Sequence, residues 1–329
     1  MNISISRRQW IQLLSGALAS QAFADTENPL PSGKTVSLIV PFAAGGPTDL
    51  MARALASVMS ERINRQVIVE NKPGAGGNIA ASFVASAPAD GTHLLVAGQA
   101  IMAINKPLYG KLNYEPEKDF SWIGLLGSLP NVLLINSSVL PVKSLTEMIH
   151  FIKQQPNTLA YGSNGIGSLT HLCTEVFNQS AGLSVTHIPY LGVASQISDL
   201  LSGRIAYSLF AASSALPLVQ SGKLTALAVS SKNRMSKLPQ VPTLVESGFT
   251  LLDVPVWFGL LAPSSVSSSI QQFLRQEMNQ ALQSTKYIAE LDKQHAQIFS
   301  MNPDQAQTML LRERKIWSDA VSYTHASAS

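Results

Sequence analysis

The chain has 329 residues, 46% of them apolar and only 13% charged; two of its positive charges, Arg7 and Arg8, fall in the first eight residues of a sequence with a formal net charge of +3. That length carries two ordinary domains, and about half the usual share of charge suits long buried strands joined by short polar loops rather than a disordered chain. No Lys/Arg run tracks phosphates along a nucleic acid, and no stretch beyond the N-terminus is apolar for the ~18 residues of a membrane span.

Arg7 and Arg8 lead into a mostly apolar stretch, Trp10 to Ala22, closed by Ala22-Phe23-Ala24. This three-part pattern predicts a signal peptide over 1–24 and a periplasmic mature chain, with the Sec and twin-arginine routes both open. Cys173 is the one cysteine of an exported chain, so stability comes from packing, and the thiol reads as a small buried hydrophobe. After a polar leader at 25–33, the β-branched run 36–40 reads as a strand stopped by Pro41. A loop from Phe42 to Pro47 then opens a helix along Leu50, Ala54, Val58 and Arg62, capped by Thr48 or Asp49, and 67–70 returns as a strand. This is the building block of a parallel sheet. A Gly loop at 73–78, a helix to about 87 and a strand at 94–97 extend it.

The pattern restarts after Pro130 with a strand at 132–135. Ser144 and Glu147 form a capping box for a helix to 154, followed by a strand at 159–161. A Gly/Ser loop at 162–168 opens a helix over 169–179. Strands at 185–188, 205–210 and 224–229 follow, the first two flanking a helix around 194–201. A Pro-rich stretch at 238–242, a strand at 257–261 and helices at 268–283 and 303–321 complete the chain, Asn302 capping the last. The repeated device (strand, Gly-rich loop, helix start) predicts an α/β protein of two lobes, 25–128 plus 232–329 and 129–231. The helical C-terminal segment packs back on the first, so the chain crosses twice and makes a hinge.

Two loops carry the candidate binding groups: Phe42, Ala43, Ala44, Gly45, Gly46 and Asp49 in one lobe, and Ser163, Asn164, Gly165, Ile166, Gly167 and Ser168 in the other. Each opens a helix at the carboxyl end of a strand, where unpaired N–H groups and the macrodipole favour an anion. Enzyme signatures are incomplete. There is no phosphate-binding P-loop, Gly74-Ala75-Gly76-Gly77-Asn78-Ile79 has Ile79 where a dinucleotide fingerprint has its third glycine, and no G-x-S-x-G occurs. No H-E-x-x-H or C-x-x-C holds a metal. His171 and His187 read as structural histidines. The expectation is therefore no catalytic residue, no metal and no cofactor.

Ile39-Val40-Pro41-Phe42-Ala43-Ala44-Gly45-Gly46-Pro47-Thr48-Asp49 with Arg53, Val69-Glu70-Asn71-Lys72-Pro73-Gly74-Ala75-Gly76-Gly77, Tyr161 to Ser168 with His171, Pro189-Tyr190 with Gly192, and Trp257-Phe258-Gly259-Leu260-Leu261-Ala262-Pro263 stand in the order found in one family. The chain resembles the Bug-type solute receptors of tripartite tricarboxylate transporters. The resemblance implies a type II-like, two-lobed periplasmic binding protein that closes on a small carboxylated solute and delivers it to membrane permease subunits. It also implies a monomer that acts on no nucleic acid. A sensor partner of a two-component system and a Rossmann-like enzyme are the alternatives. By motif, the two loops are expected to meet the ligand, with Gly98, Gln99 and Ala100 on the cleft floor. Tyr190, Phe210 and Ala211 complete the expected set. The family often has an acidic residue after the strand ending at Phe210; Ala211 and Ala212 stand here, which disfavours an ammonium-bearing ligand.

Overall fold

The computed structural model describes residues 28–329 except 191, 253–255, 299–300, 302, 325 and 327–329; the expected signal peptide at 1–24 and the Asn302 cap lie outside the described residues. In chain order come β1 (Val36–Val40), α1 (Pro47–Arg62), β2 (Val67–Asn71), α2 (Asn78–Ala85), β3 (His93–Gly98), α3 (Asn105–Tyr109), β4 (Phe120–Leu129) and β5 (Asn131–Ile135). Then follow α4 (Leu145–Lys153), β6 (Ala160–Ser163), α5 (Leu169–Ala181), β7 (Thr186–Pro189), α6 (Val193–Ser202), β8 (Tyr207–Ala211), α7 (Ala212–Gln220) and β9 (Thr225–Val229). The C-terminal part is β10 (Val256–Pro263), α8 (Ser268–Leu282), α9 (Thr285–Lys293) and α10 (Pro303–Thr324).

The strands form two five-stranded sheets, ordered β2-β1-β3-β10-β4 and β7-β6-β8-β5-β9. Period-two alternation explains how each covers both faces. In β1, Val36, Leu38 and Val40 face a core shared with α1 and α8, while Ile39 faces the core under α2. In β5, Leu133 and Ile135 point to the α4 and α5 side, and Val132 and Leu134 to the α6 and α7 side. Ser144 does cap α4, its Oγ accepting from Glu147 N, while the Glu147 carboxylate accepts from Lys143 N at 2.7 Å.

The chain crosses between sheets at Pro130 and again after β9. The β5–β9 pairing continues to the first crossing, where Asn131 N donates to Ser230 Oγ at 2.9 Å and Ser230 N to Asn131 O at 2.8 Å. The return crossing lies beside it, since Val256 pairs with Leu129. Packing does not follow the expected boundary at 232. Met235, Leu238 and Val241 join the second sheet's core, and Val229 bridges Thr243, so the Pro-rich stretch lies along the edge of β9. Apolar residues three apart have a buried face to satisfy, which a free linker does not. α10 also departs from expectation: Leu310 packs in the first sheet's core, but Ile316, Trp317, Ala320 and Val321 pack in the second's. The helix straps the two halves together.

β4 escaped the sequence reading because glycines interrupt its pattern. A Cβ on Gly124 would lie 2.9 Å from Met278 Sδ of α8, so the glycine admits that helix. α7 was hidden by Pro217 in its interior, and α9 by its small size.

Trp317 is fully buried against the second sheet's core. Trp317→Ala is expected to cost about 3–5 kcal/mol in urea unfolding, the usual range for emptying such a site. A loss under about 1 kcal/mol would show that the strap carries no stability.

Candidate ligand-binding cleft

Parallel strands deliver their following loops to one edge of a sheet. Here the carboxyl ends of β1, β3 and β6 meet the start of β10 around a cavity of about 490 Å³. Of the expected residues, Phe42, Gly98, Gln99, Ala100, Asn164, Ile166, Gly167 and Ser168 line it. So do Gly76, Ile101, Asn105, Leu108, Tyr109, Leu169, Val256 and Phe258, which the sequence reading did not select. Phe258 arrives through tertiary register, as the antiparallel partner of Gly98, and no local motif announces that pairing. The two halves approach closely at Gly167, whose φ is +73° and whose added Cβ would sit 2.6 Å from Leu108 Cδ2. Only glycine fits both conditions.

The first loop is organised by Asp49, which neither caps α1 nor lines the cavity. Gly46 is the N-cap and Pro47 begins the helix, so Asp49 sits within the first turn. Its Oδ2 accepts from Gly45 N at 2.9 Å and Arg53 Nε at 2.8 Å, and its Oδ1 from Asn71 Nδ2 at 2.8 Å. Asn71 Nδ2 also donates to Phe42 O at 3.0 Å, tying the loop to the end of β2. Asp49 is 1% exposed. Burial alone raises its pKa, but hydrogen bonds from Arg53, Gly45 N and Asn71 outweigh it and hold the carboxyl below its ordinary value. The positive end of α1 therefore has an anion of its own. Ala43, Ala44 and Gly45 are exposed, and with Gly46 they stay off the cavity wall.

The second loop satisfies its amides differently. Ser168 caps α5, its Oγ accepting from His171 N at 3.2 Å. Asn164 N donates to Thr170 Oγ1 at 3.1 Å, Gly165 N to Ser163 Oγ at 3.2 Å, and Gly167 N to His171 Nδ1 at 3.1 Å. Among the described residues no acceptor meets Leu169 N or Thr170 N, and Leu169 lines the cavity. The start of α5 thus keeps donors for a guest. The acceptor role of His171 Nδ1 assigns its proton to Nε2. His187 stacks on His171 with centroids 4.0 Å apart, and its Nε2 is 2.7 Å from Ser163 Oγ. Burial pushes both imidazoles down to about 4, and His171 adds to the effect on His187.

Other expected residues stand behind the wall. Ser163 is fully buried at the end of β6, which runs two residues beyond the predicted strand. Gly165 lies within the loop but away from the cavity. Tyr190 donates its hydroxyl to Asp199 Oδ2 at 2.7 Å and packs in the second sheet's core. Phe210 lies in the same core, and Ala211 begins α7 as its N-cap. These residues shape the half of the cleft they support and do not face the cavity.

A family model described as tripartite tricarboxylate transporter family receptor matches residues 51–322. BugT of Bordetella pertussis is 33% identical over 317 residues, covering 96% of each chain. A solved structure of an R. palustris protein with adipate aligns at TM-score 0.75 and 31% identity, over 90% of this chain and 99% of that one. MatC from Rhodopseudomonas palustris with bound malate aligns at TM-score 0.73 and 29% identity, over 88% and 100%. The expected α/β architecture is thus that of solved periplasmic binding proteins.

Two outcomes follow from the loops. Asp49→Ala leaves Gly45 N, Arg53 and Asn71 without their acceptor and should cost about 1–3 kcal/mol. The Gly45 amide should also lose protection in hydrogen exchange; unchanged protection would mean that Asp49 does not organise the loop. The histidines set a pH dependence. Their folded pKa of about 4 lies below the ordinary 6.5, so between these values the unfolded chain binds more protons. Stability should be whole above pH 6.5 and fall as the pH drops towards 4. Urea midpoints of His171→Gln, which keeps an acceptor but does not titrate, should fall less steeply; identical slopes would remove His171 from this account.

Proposed function

We propose that this chain, which belongs to the tripartite tricarboxylate transporter receptor family, seats the carboxylate of its solute at the start of α5 and passes the solute to membrane permease subunits. As a member of that family it is a periplasmic solute-binding receptor for a small carboxylate. The observation that carries the site is the unpartnered amide of Leu169, a residue that lines the cavity, with the unpartnered amide of Thr170 next to it at the start of α5. A helix start attracts an anion, and amides already in place need no reorganisation to receive it. The ligands of two solved relatives, adipate and malate, support the same chemistry.

The lobes of this reading are β1–β4 with β10, α8 and α9, and β5–β9 with the stretch up to about residue 252. They turn about the two crossings, one at Pro130 and one just before Val256, which pairs with Leu129. The N-terminal 24 residues act as a signal peptide, and the mature chain works as a monomer. It binds without turnover. A Ser–His pair exists, Ser163 with His187, but Ser163 is fully buried and lines no cavity, so a substrate does not reach it.

A thermal-shift panel on the purified chain from Asp25 onwards tests the reading. Adipate, malate, hexanoate and phenylacetate are the acids, with glucose and ATP as controls. At 100 times its Kd a bound acid stabilises by about 2.7 kcal/mol, which raises Tm by several degrees. At least one acid should do so and neither control. A shift with glucose or ATP and none with any acid would overturn the carboxylate site.

A further inference from the structure

We infer that the solute is an acid with a single carboxylate on an apolar body, rather than a di- or tricarboxylate; this rests on the carboxylate reading above and narrows it. Three features of the cleft converge on that chemistry.

The first is the count of places where a negative charge can sit. Both sheets offer a helix start, but that of α1 already holds the Asp49 carboxylate, which takes Gly45 N and is balanced by Arg53. A second anion there would find the Gly45 amide and Arg53 already engaged by Asp49. Only Phe42 of that loop reaches the cavity, whereas Asn164, Ile166, Gly167, Ser168 and Leu169 do so around the start of α5. One end of the cleft is therefore fitted for an anion.

The second is the opposite wall. Phe42 and Phe258 meet edge to face with centroids 6.2 Å apart, and Ile101, Leu108 and Val256 continue an apolar surface beside them. Such a surface gains from covering methylene or aromatic groups, about 25 cal/mol for each Å² removed from water. The third is what the polar side chains there are doing. Asn105 Nδ2 is engaged by Gly76 O at 3.0 Å and Asn78 Oδ1 at 2.7 Å, and Gln99 Oε1 accepts from Trp257 N at 3.3 Å. Both side chains are buried and serve the wall itself. Among the described residues, no Lys or Arg lines the cavity. A second carboxylate would be desolvated against this wall with no counter-charge, which is costly.

Hexanoate and adipate make the decisive comparison, because they share six carbons and differ by one carboxylate. Isothermal titration of the mature chain should give hexanoate, or the aromatic monoacid phenylacetate, a Kd at least tenfold below that of adipate. Phe258→Ala should weaken the monoacid at least fivefold while leaving the weak adipate signal within twofold, a split that general misfolding would not produce. Adipate or malate binding as tightly as the monoacids would overturn this inference and leave the carboxylate reading standing. No heat from any acid would remove the carboxylate reading, and this inference with it.

Discussion

A buried backbone amide must find an acceptor, and in this protein the way each loop answers that demand decides what the cleft can hold. The first loop answers with an ionised side chain, Asp49, drawn back over Gly45 and held by Arg53 and Asn71. The second answers with neutral acceptors, the hydroxyls of Ser163, Thr170 and Ser168 and the imidazole of His171. Similar strand–loop–helix devices thus end with different electrostatics. One helix start is neutralised from within, and the other remains open to a guest.

The rest of the molecule brings these two loops to one cavity. The sheets are joined by adjacent crossings, beside the pairing of Leu129 with Val256, and by α10, which reaches both cores. Gly167 against Leu108 shows how little space separates the halves beside the cavity. A side chain at that point would push them apart. The stacked histidines lie behind the second loop, and both stay neutral at ordinary pH, so they place no positive charge beneath the start of α5.

Much of this was legible in the residues. The alternation of Val36, Leu38 and Val40 against Ile39 marks a strand covered on both faces, and the glycine and serine loops stand where β1 and β6 end. The capping residues Ser144 and Ser168 could be read or nearly read from spacing, because a helix start is a local event. What stayed hidden was tertiary. Asp49 looks like a cap or a ligand contact until Asn71, 22 residues away, is found on its other oxygen. Phe258, Leu108 and Tyr109 line the cavity through pairing and packing that no window of sequence contains. Tyr190 stands in a family motif and Phe210 ends a strand expected to reach the cleft, but both pack in the core, since position along the chain does not fix which way a side chain points.

The place of β10 in the first sheet carries a consequence for how the molecule is assembled. Among the described strands β4 pairs with β10, which lies between it and β3, and 126 residues separate the end of β4 at Leu129 from the start of β10 at Val256. As the polypeptide emerges from the N-terminus, the second sheet can form from a contiguous stretch while β4 waits without a neighbour. Ten residues rich in Leu, Ile, Phe and Trp then present bare edges until the last strand slots in. A chain built this way completes its first sheet late, and its waiting strand is exposed to self-association along the way.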